Sequence, residues 1–156
     1  MSKSLKRVQQ ALAGAGMATE VLQMAEGTRT AEAAAVAVGC LPDQIAKSII
    51  FRGRASGMAL LFITAGGNRV CDGKASALAG EDLGKADAAL IRAQTGFAIG
   101  GVAPVGHLNP IRAWADPRLF DFDRVYAAAG TPHHIFAIAP KDLLRLSGAA
   151  VADFTL

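Results

Sequence analysis

The chain has 156 residues, 52% of them hydrophobic and 19% charged, with a formal net charge of +3. That length can bury a real core without metals or disulfides, so a single domain over residues 1–156 is the economical reading. No apolar run approaches the ~20 residues of a membrane span, and Cys40 and Cys71 stand alone, without disulfide or metal-ligand spacing. A reduced, cytoplasmic protein is expected. The N-terminal MSKSLKRVQQALAGAG carries basic residues but no apolar segment or cleavage-like ending of a signal peptide. The positive charge permits a polyanionic partner, but the dense basic patch of a DNA-binding domain is missing.

Taken in chain order, Ser4 is placed to cap a first helix with Leu5, Val8 and Leu12 on one face, ended by Gly14 or Gly16. The short EVLQM segment reads as a strand. Thr30 caps an alanine-rich helix, AEAAAVAV, closed by Gly39. LPDQI reads as a turn or one helical turn. KSIIFRG and MALLFITAG then read as two strands joined by RASG, in the manner of a hairpin. Alanine and leucine content from Asp72 to Leu83 suggests a helix, and ADAALIRAQ another, stopped by Gly96. IRAWAD, DRVYAAAG and HIFAIAP read as strands, and PKDLLRLSG as a closing helix with proline at its start and glycine at its end. The irregular spacing of the strands argues against clean βαβ crossovers and for a mixed α/β domain.

The segment TGFAIGGVAPVGH, residues 95–107, holds four glycines and a proline and no charged side chain. It lacks the Gly-Lys-Ser/Thr ending of a Walker loop and the spacing of a dinucleotide fingerprint. Its centre, GGVAP, comprises Gly100, Gly101, Val102, Ala103 and Pro104. Glycine permits positive φ and close approach of a ligand to the backbone, and Pro104 restricts itself and Ala103. Such a stretch is either a tight helix-to-strand connection or a concavity of N–H groups suited to a developing oxyanion.

Lys47 opens an apolar strand, with alternation placing it beside Ile49 and Phe51 and placing Ser48 beside Ile50. It either snorkels to solvent or points into a pocket. His107 follows the glycine loop, and His133 and His134 fall in a turn. No carboxylate or cysteine at zinc-like spacing accompanies them, so neither a metal nor another cofactor is expected. A nucleophile elbow is also missing. The chain offers no evident protein nucleophile or strong general base, which constrains mechanism more than any motif present.

TAEAAAVAVGCLPDQIAKSIIFR, GGVAP, LFDFDRVYAAAG and APKDLLRLSGAAVADF, in that order, resemble the YbaK/prolyl-tRNA synthetase-associated family over residues 5–154. Members of that family hydrolyse mischarged aminoacyl-tRNA, free-standing or as insertions in prolyl-tRNA synthetase. The resemblance implies a mixed α/β domain around a strongly curved, barrel-like sheet with flanking helices. It places the family lysine on Lys47, associated with the terminal ribose and phosphate of tRNA, and the following Thr/Ser on Ser48. The family's GxxxP loop falls on Gly100, Gly101, Val102, Ala103 and Pro104, and its late-hairpin histidine on His134. Thr30 and His107 complete the expected substrate-binding set.

An aminoacyl ester is already activated, so oriented water and oxyanion stabilisation by backbone donors suffice for its hydrolysis. An adjoining apolar pocket can sort side chains by size. The expected activity is therefore trans-editing deacylation of a small amino acid on tRNA(Pro) or a related tRNA, attacked by water or by a group of the substrate. The partners are the acceptor end of aminoacyl-tRNA and, in one version, an aminoacyl-tRNA synthetase, with no membrane and no DNA. A non-catalytic module holding the same ligand beside a synthetase is the alternative, and an unrelated small-molecule hydrolase a third.

Overall fold

The computed structural model describes residues 2–17, 20–24 and 30–156. Five α-helices and eight strands alternate irregularly among them: α1 (Lys3–Gly14), β1 (Val21–Gln23), α2 (Ala31–Val38), β2 (Ala46–Gly53), β3 (Ala59–Ala65), α3 (Asp72–Ala79), β4 (Leu83–Lys85), α4 (Ala88–Thr95), β5 (Arg112–Ala115), β6 (Val125–Ala128), β7 (His134–Ile138), α5 (Pro140–Ser147) and β8 (Ala150–Val151). Single 3-10 turns occupy Pro42–Gln44 and Pro117–Asp121. No helix among the described residues is long and apolar enough to cross a membrane.

The strands form two sheets, ordered β1-β7-β6 and β4-β2-β3-β5-β8. All pairs are antiparallel except β3 with β5 and β5 with β8. The mixed α/β expectation is met in this two-sheet form. The sheets meet at a parallel bridge between Ile45 and Tyr126, so the start of β2 lies beside β6.

β3 explains why ALLFITA is uniformly apolar rather than alternating. It has a paired neighbour on each side, and its two faces enter different cores. Leu61 and Ile63 pack with Leu5, Val8, Leu12, Phe136 and the loop residues Phe97, Val102, Ala103 and Val105. Leu60 and Phe62 pack on the opposite side with Trp114, Phe154 and α3. The glycine loop is therefore anchored in the main core through its apolar members.

Two expectations change at element ends. Ser2, not Ser4, caps α1: its backbone is extended (φ −62°, ψ 138°) and its side chain accepts from the amides of Ser4 and Leu5. The Ser4 hydroxyl instead reaches the Gly96 carbonyl at 3.5 Å. The helix expected up to Leu83 stops at Ala79, because Gly80 adopts φ 78° and ends it. Leu83 then starts β4 on the outer edge of β2.

The hairpin read at RASG is present. Gly57 takes φ 72°, and the Glu81 carboxylate accepts from the amides of Ala55 and Ser56 at 3.0 and 2.9 Å.

Candidate functional site

Where β2 begins, α2, the glycine loop and the β6–β7 hairpin close around a cavity of about 320 Å³. Its walls are mainly small or branched apolar groups, among them Ala31, Ala34, Ile45, Ile99 and Ile135, with Tyr126 at one side. Thr30, Lys47, Ser48, Gly100 and Val102 supply the remaining lining that matters chemically. A second hollow of about 680 Å³ shares Thr30, Ala31, Lys47 and Ile49 and runs on past Phe51, Thr64, Asn68 and Arg69. Lys47 thus stands in the wall common to both.

The β2 register explains that position. Lys47 pairs with Thr64, Ile49 with Phe62 and Phe51 with Leu60, so the three side chains share one face, as alternation requires. Lys47 is half-buried, and its Nζ donates to the main-chain carbonyl of Asn68 at 2.7 Å. Of the two orientations open at the sequence level, the pocket-directed one is found. Burial pushes the ammonium pKa below the ordinary lysine value. Glu32 opposes that shift, Arg69 adds to it, and Asp116 and Asp43 oppose it more weakly.

Ser48 lies on the other face of β2 yet also borders the smaller cavity. Its Oγ is buried and has no hydrogen-bond partner among the described residues. A buried hydroxyl without a partner is costly and calls for a ligand or water. Thr30 caps α2, its Oγ1 accepting from the Ala33 amide at 3.1 Å, so that oxygen is already engaged.

The five loop residues divide into two groups. Gly100 and Val102 line the cavity, whereas Gly101, Ala103 and Pro104 are buried behind it. Positive φ occurs at Gly100 (93°) and not at Gly101. Gly101 is glycine for a different reason: a Cβ there would come within 2.7 Å of Thr131 Cα in the β6–β7 turn. The Gly101 amide donates to the Ala98 carbonyl at 3.1 Å. Among the described residues, the amides of Gly100 and Val102 meet no protein acceptor.

The structure does not bring His107 or His134 to the cavity. His107 donates from Nε2 to the Ala103 carbonyl at 2.7 Å, behind the loop and against Phe97. Burial pushes its pKa down; the Ala103 carbonyl opposes this and Arg7 reinforces it. His134 pairs through Nδ1 with Thr131 Oγ1 at 2.6 Å, on the side of β7 opposite to the cavity-lining Ile135. Both histidines brace the loop and the turn behind it. Sequence reasoning missed Asn68 and the buried Asp116 that binds it. The Asp-Pro pair at 116–117, an N-cap followed by proline, was the one available signal.

Residues 25–146 match the aminoacyl-tRNA editing domain family. A crystal structure of a protein described as a candidate trans-editing enzyme for prolyl-tRNA synthetase superposes with a TM-score of 0.92 at 46% identity, covering 100% of this chain and 99% of its own. A scaffold protein used for computational grafting of linear epitopes gives the same TM-score of 0.92 at 44% identity, with coverages of 100% and 99%. The uncharacterized protein YwhH of Bacillus subtilis is 28% identical over 148 residues, covering 95% of this chain and 94% of the relative. The chain belongs to the aminoacyl-tRNA editing domain family.

Proposed function

We propose that this protein is a trans-editing deacylase that hydrolyses the ester of a small amino acid mischarged onto tRNA(Pro) or a related tRNA. The observation that carries the reading is the placement of Lys47. Lys47 stands in the wall shared by a small apolar cavity, which Gly100 and Val102 also line, and a wider hollow, where its ammonium is bonded to the Asn68 carbonyl. The apolar cavity takes the amino-acid side chain, and the wider hollow takes the terminal nucleotide, whose phosphate or ribose Lys47 grips. The carbonyl oxygen turns toward the Gly100 and Val102 amides.

Water, oriented with or without help from a hydroxyl of the substrate itself, then attacks the ester carbon. The tetrahedral oxyanion takes hydrogen bonds from those amides, each well-placed donor being worth about 3–4 kcal/mol. With water as nucleophile, collapse breaks the acyl–oxygen bond, and the proton lost by water ends on the ribose oxygen. Free amino acid and uncharged tRNA leave. The Ser48 hydroxyl, unpartnered at the cavity wall, meets a polar group of the bound aminoacyl end. Gly101, Ala103 and Pro104 hold the loop's path, with His107 and His134 behind them. An aminoacyl-tRNA synthetase is a partner in the sense that it supplies the mischarged substrate.

A panel of purified mischarged tRNAs tests this. Release of free amino acid from at least one small-side-chain ester, with simple amino-acid esters turned over poorly, is the expected result. Binding of these tRNAs without release would instead make the protein a carrier of the aminoacyl end. Preference for the simple esters would make it a small-molecule esterase.

A further inference from the structure

Asp116 is 2% exposed and lines neither hollow, yet it is tied to the lysine between them. Three N–H donors converge on its carboxylate. Oδ2 accepts from the Ala65 amide at 3.0 Å and from Asn68 Nδ2 at 2.9 Å. Oδ1 accepts from the Arg118 amide at 3.0 Å. A buried carboxylate is tolerated only when so satisfied, and two of its three donors belong to the turn leaving β3.

Asp43 holds the same turn from the other side. Its Oδ1 accepts from the Gly67 amide at 2.8 Å, and its Oδ2 takes Arg118 Nε at 2.9 Å. Gly66 lies so close to the Pro42 carbonyl oxygen that a side chain there would collide with it. The turn therefore has little freedom, and the Asn68 main-chain carbonyl is presented at one place. That carbonyl is the acceptor of Lys47 Nζ.

We propose that Asp116 is a positioning residue for Lys47, acting through Asn68 to fix the ammonium in the wall between the two hollows. The charged groups facing Lys47 come from four elements: Glu32 on α2, Arg69 on the turn after β3, Asp43 on the first 3-10 turn, and Asp116 after β5. Of the three carboxylates, Asp116 alone is hydrogen-bonded to the residue that receives the ammonium. It holds the acceptor and adds a negative charge that favours the protonated lysine. The inference rests on the reading of Lys47 as the cation that grips tRNA.

The test compares wild-type protein with Asp116→Asn and Asn68→Ala by NMR of side-chain-labelled lysine, assigned through Lys47→Arg. In the wild type, a held ammonium should leave the two Lys47 ε-methylene protons inequivalent. Both variants should merge them, and Asp116→Asn should also move the Lys47 titration to lower pH. Single-turnover deacylation should fall between about ten- and a hundred-fold in each, the scale of a misplaced substrate contact. Leu143→Ala, a buried core change, is the control for lost stability and should leave the Lys47 signals split. If Asp116→Asn fails to fold, Asn68→Ala decides alone. Variants that fold and keep the wild-type splitting and titration would overturn the inference. The NMR comparison needs no substrate, so a wild-type protein that deacylates nothing would sink the proposed function and leave this question to be answered separately.

Discussion

Gly101 sits against the backbone of Thr131: a Cβ at 101 would lie 2.7 Å from Thr131 Cα and 2.9 Å from its carbonyl carbon. Neither atom can rotate aside, so the contact locks the glycine loop to the β6–β7 turn. Gly101→Ala should therefore detach the loop, lowering both stability and turnover. Gly100→Ala meets only Pro132 Cγ at 3.8 Å, and its cost is the left-handed backbone, about 1–2 kcal/mol. Val102→Ala keeps the backbone path and should be mildest in turnover. Denaturant midpoints and single-turnover rates of the three variants check this order. A Gly101→Ala protein as stable as wild type would mean that the close approach is not structural.

His107 should titrate below the ordinary histidine range, because burial disfavours its charged form. Its Nε2–H is committed to the Ala103 carbonyl, leaving Nδ1 bare in the neutral ring. The sign follows. Between the depressed folded pKa and the unfolded value, the unfolded chain binds a proton that the folded one does not. The His107 contribution to stability is thus present above the unfolded pKa and is lost as pH falls through the folded one. NMR titration of the imidazole, with unfolding measured across the same pH range, tests this. A His107 that titrates above the unfolded value would reverse the sign.

Phe154 fixes the last strand region to the second core. It is fully buried, edge-on to Phe62 at 5.1 Å, and Phe62 stacks on Trp114 at 4.8 Å. Phe154→Ala should cost about 3–5 kcal/mol, the usual range for a buried phenylalanine. Because this core lies on the other side of β3 from the glycine loop, the folded fraction should retain its rate per molecule. Chemical denaturation paired with an active-site-normalised rate separates the two effects.

The pH dependence of turnover should show an alkaline limb below the ordinary lysine value. Burial lowers the Lys47 pKa, so its charge is lost earlier than that of an exposed lysine. Stability should move the other way. Between the folded and unfolded pKa values only the unfolded chain holds the proton, so the penalty of burying the ammonium is relieved as pH rises through the folded value. Rates and unfolding free energies measured over the alkaline range, in wild type and Lys47→Arg, check both signs. An alkaline limb at or above the ordinary lysine value would contradict the shift.

Much of the fold was legible because local rules act locally. Gly39, Gly96 and Gly148 end their helices in the left-handed conformation read from their positions. Leu5, Val8 and Leu12 form the buried face of α1, and alternation put Lys47 with Ile49 and Phe51. β4 and β8 were missed because three and two residues carry too little periodicity, and they exist through pairing with β2 and β5. The site was legible through Lys47 and GGVAP, but not in which loop residues reach the cavity. That depends on Thr131, 30 positions further along, which fixes Gly101 and leaves Gly100 the positive φ. The Asp116–Asn68 bond joins residues 48 positions apart, beyond any local pattern.

The most direct test of the account is single-turnover deacylation of a mischarged small-amino-acid tRNA by wild-type and Lys47→Ala protein, both shown to be folded and used in saturating excess. Lys47 is only half-buried and makes its hydrogen bond to the Asn68 carbonyl in the wall of the wider hollow, so the variant should keep its fold. Rapid release of free amino acid by the wild type is expected, with loss of most of that rate in the variant. Equal rates in the two proteins would contradict it, and would assign the lysine to the wall of the cavity rather than to its chemistry.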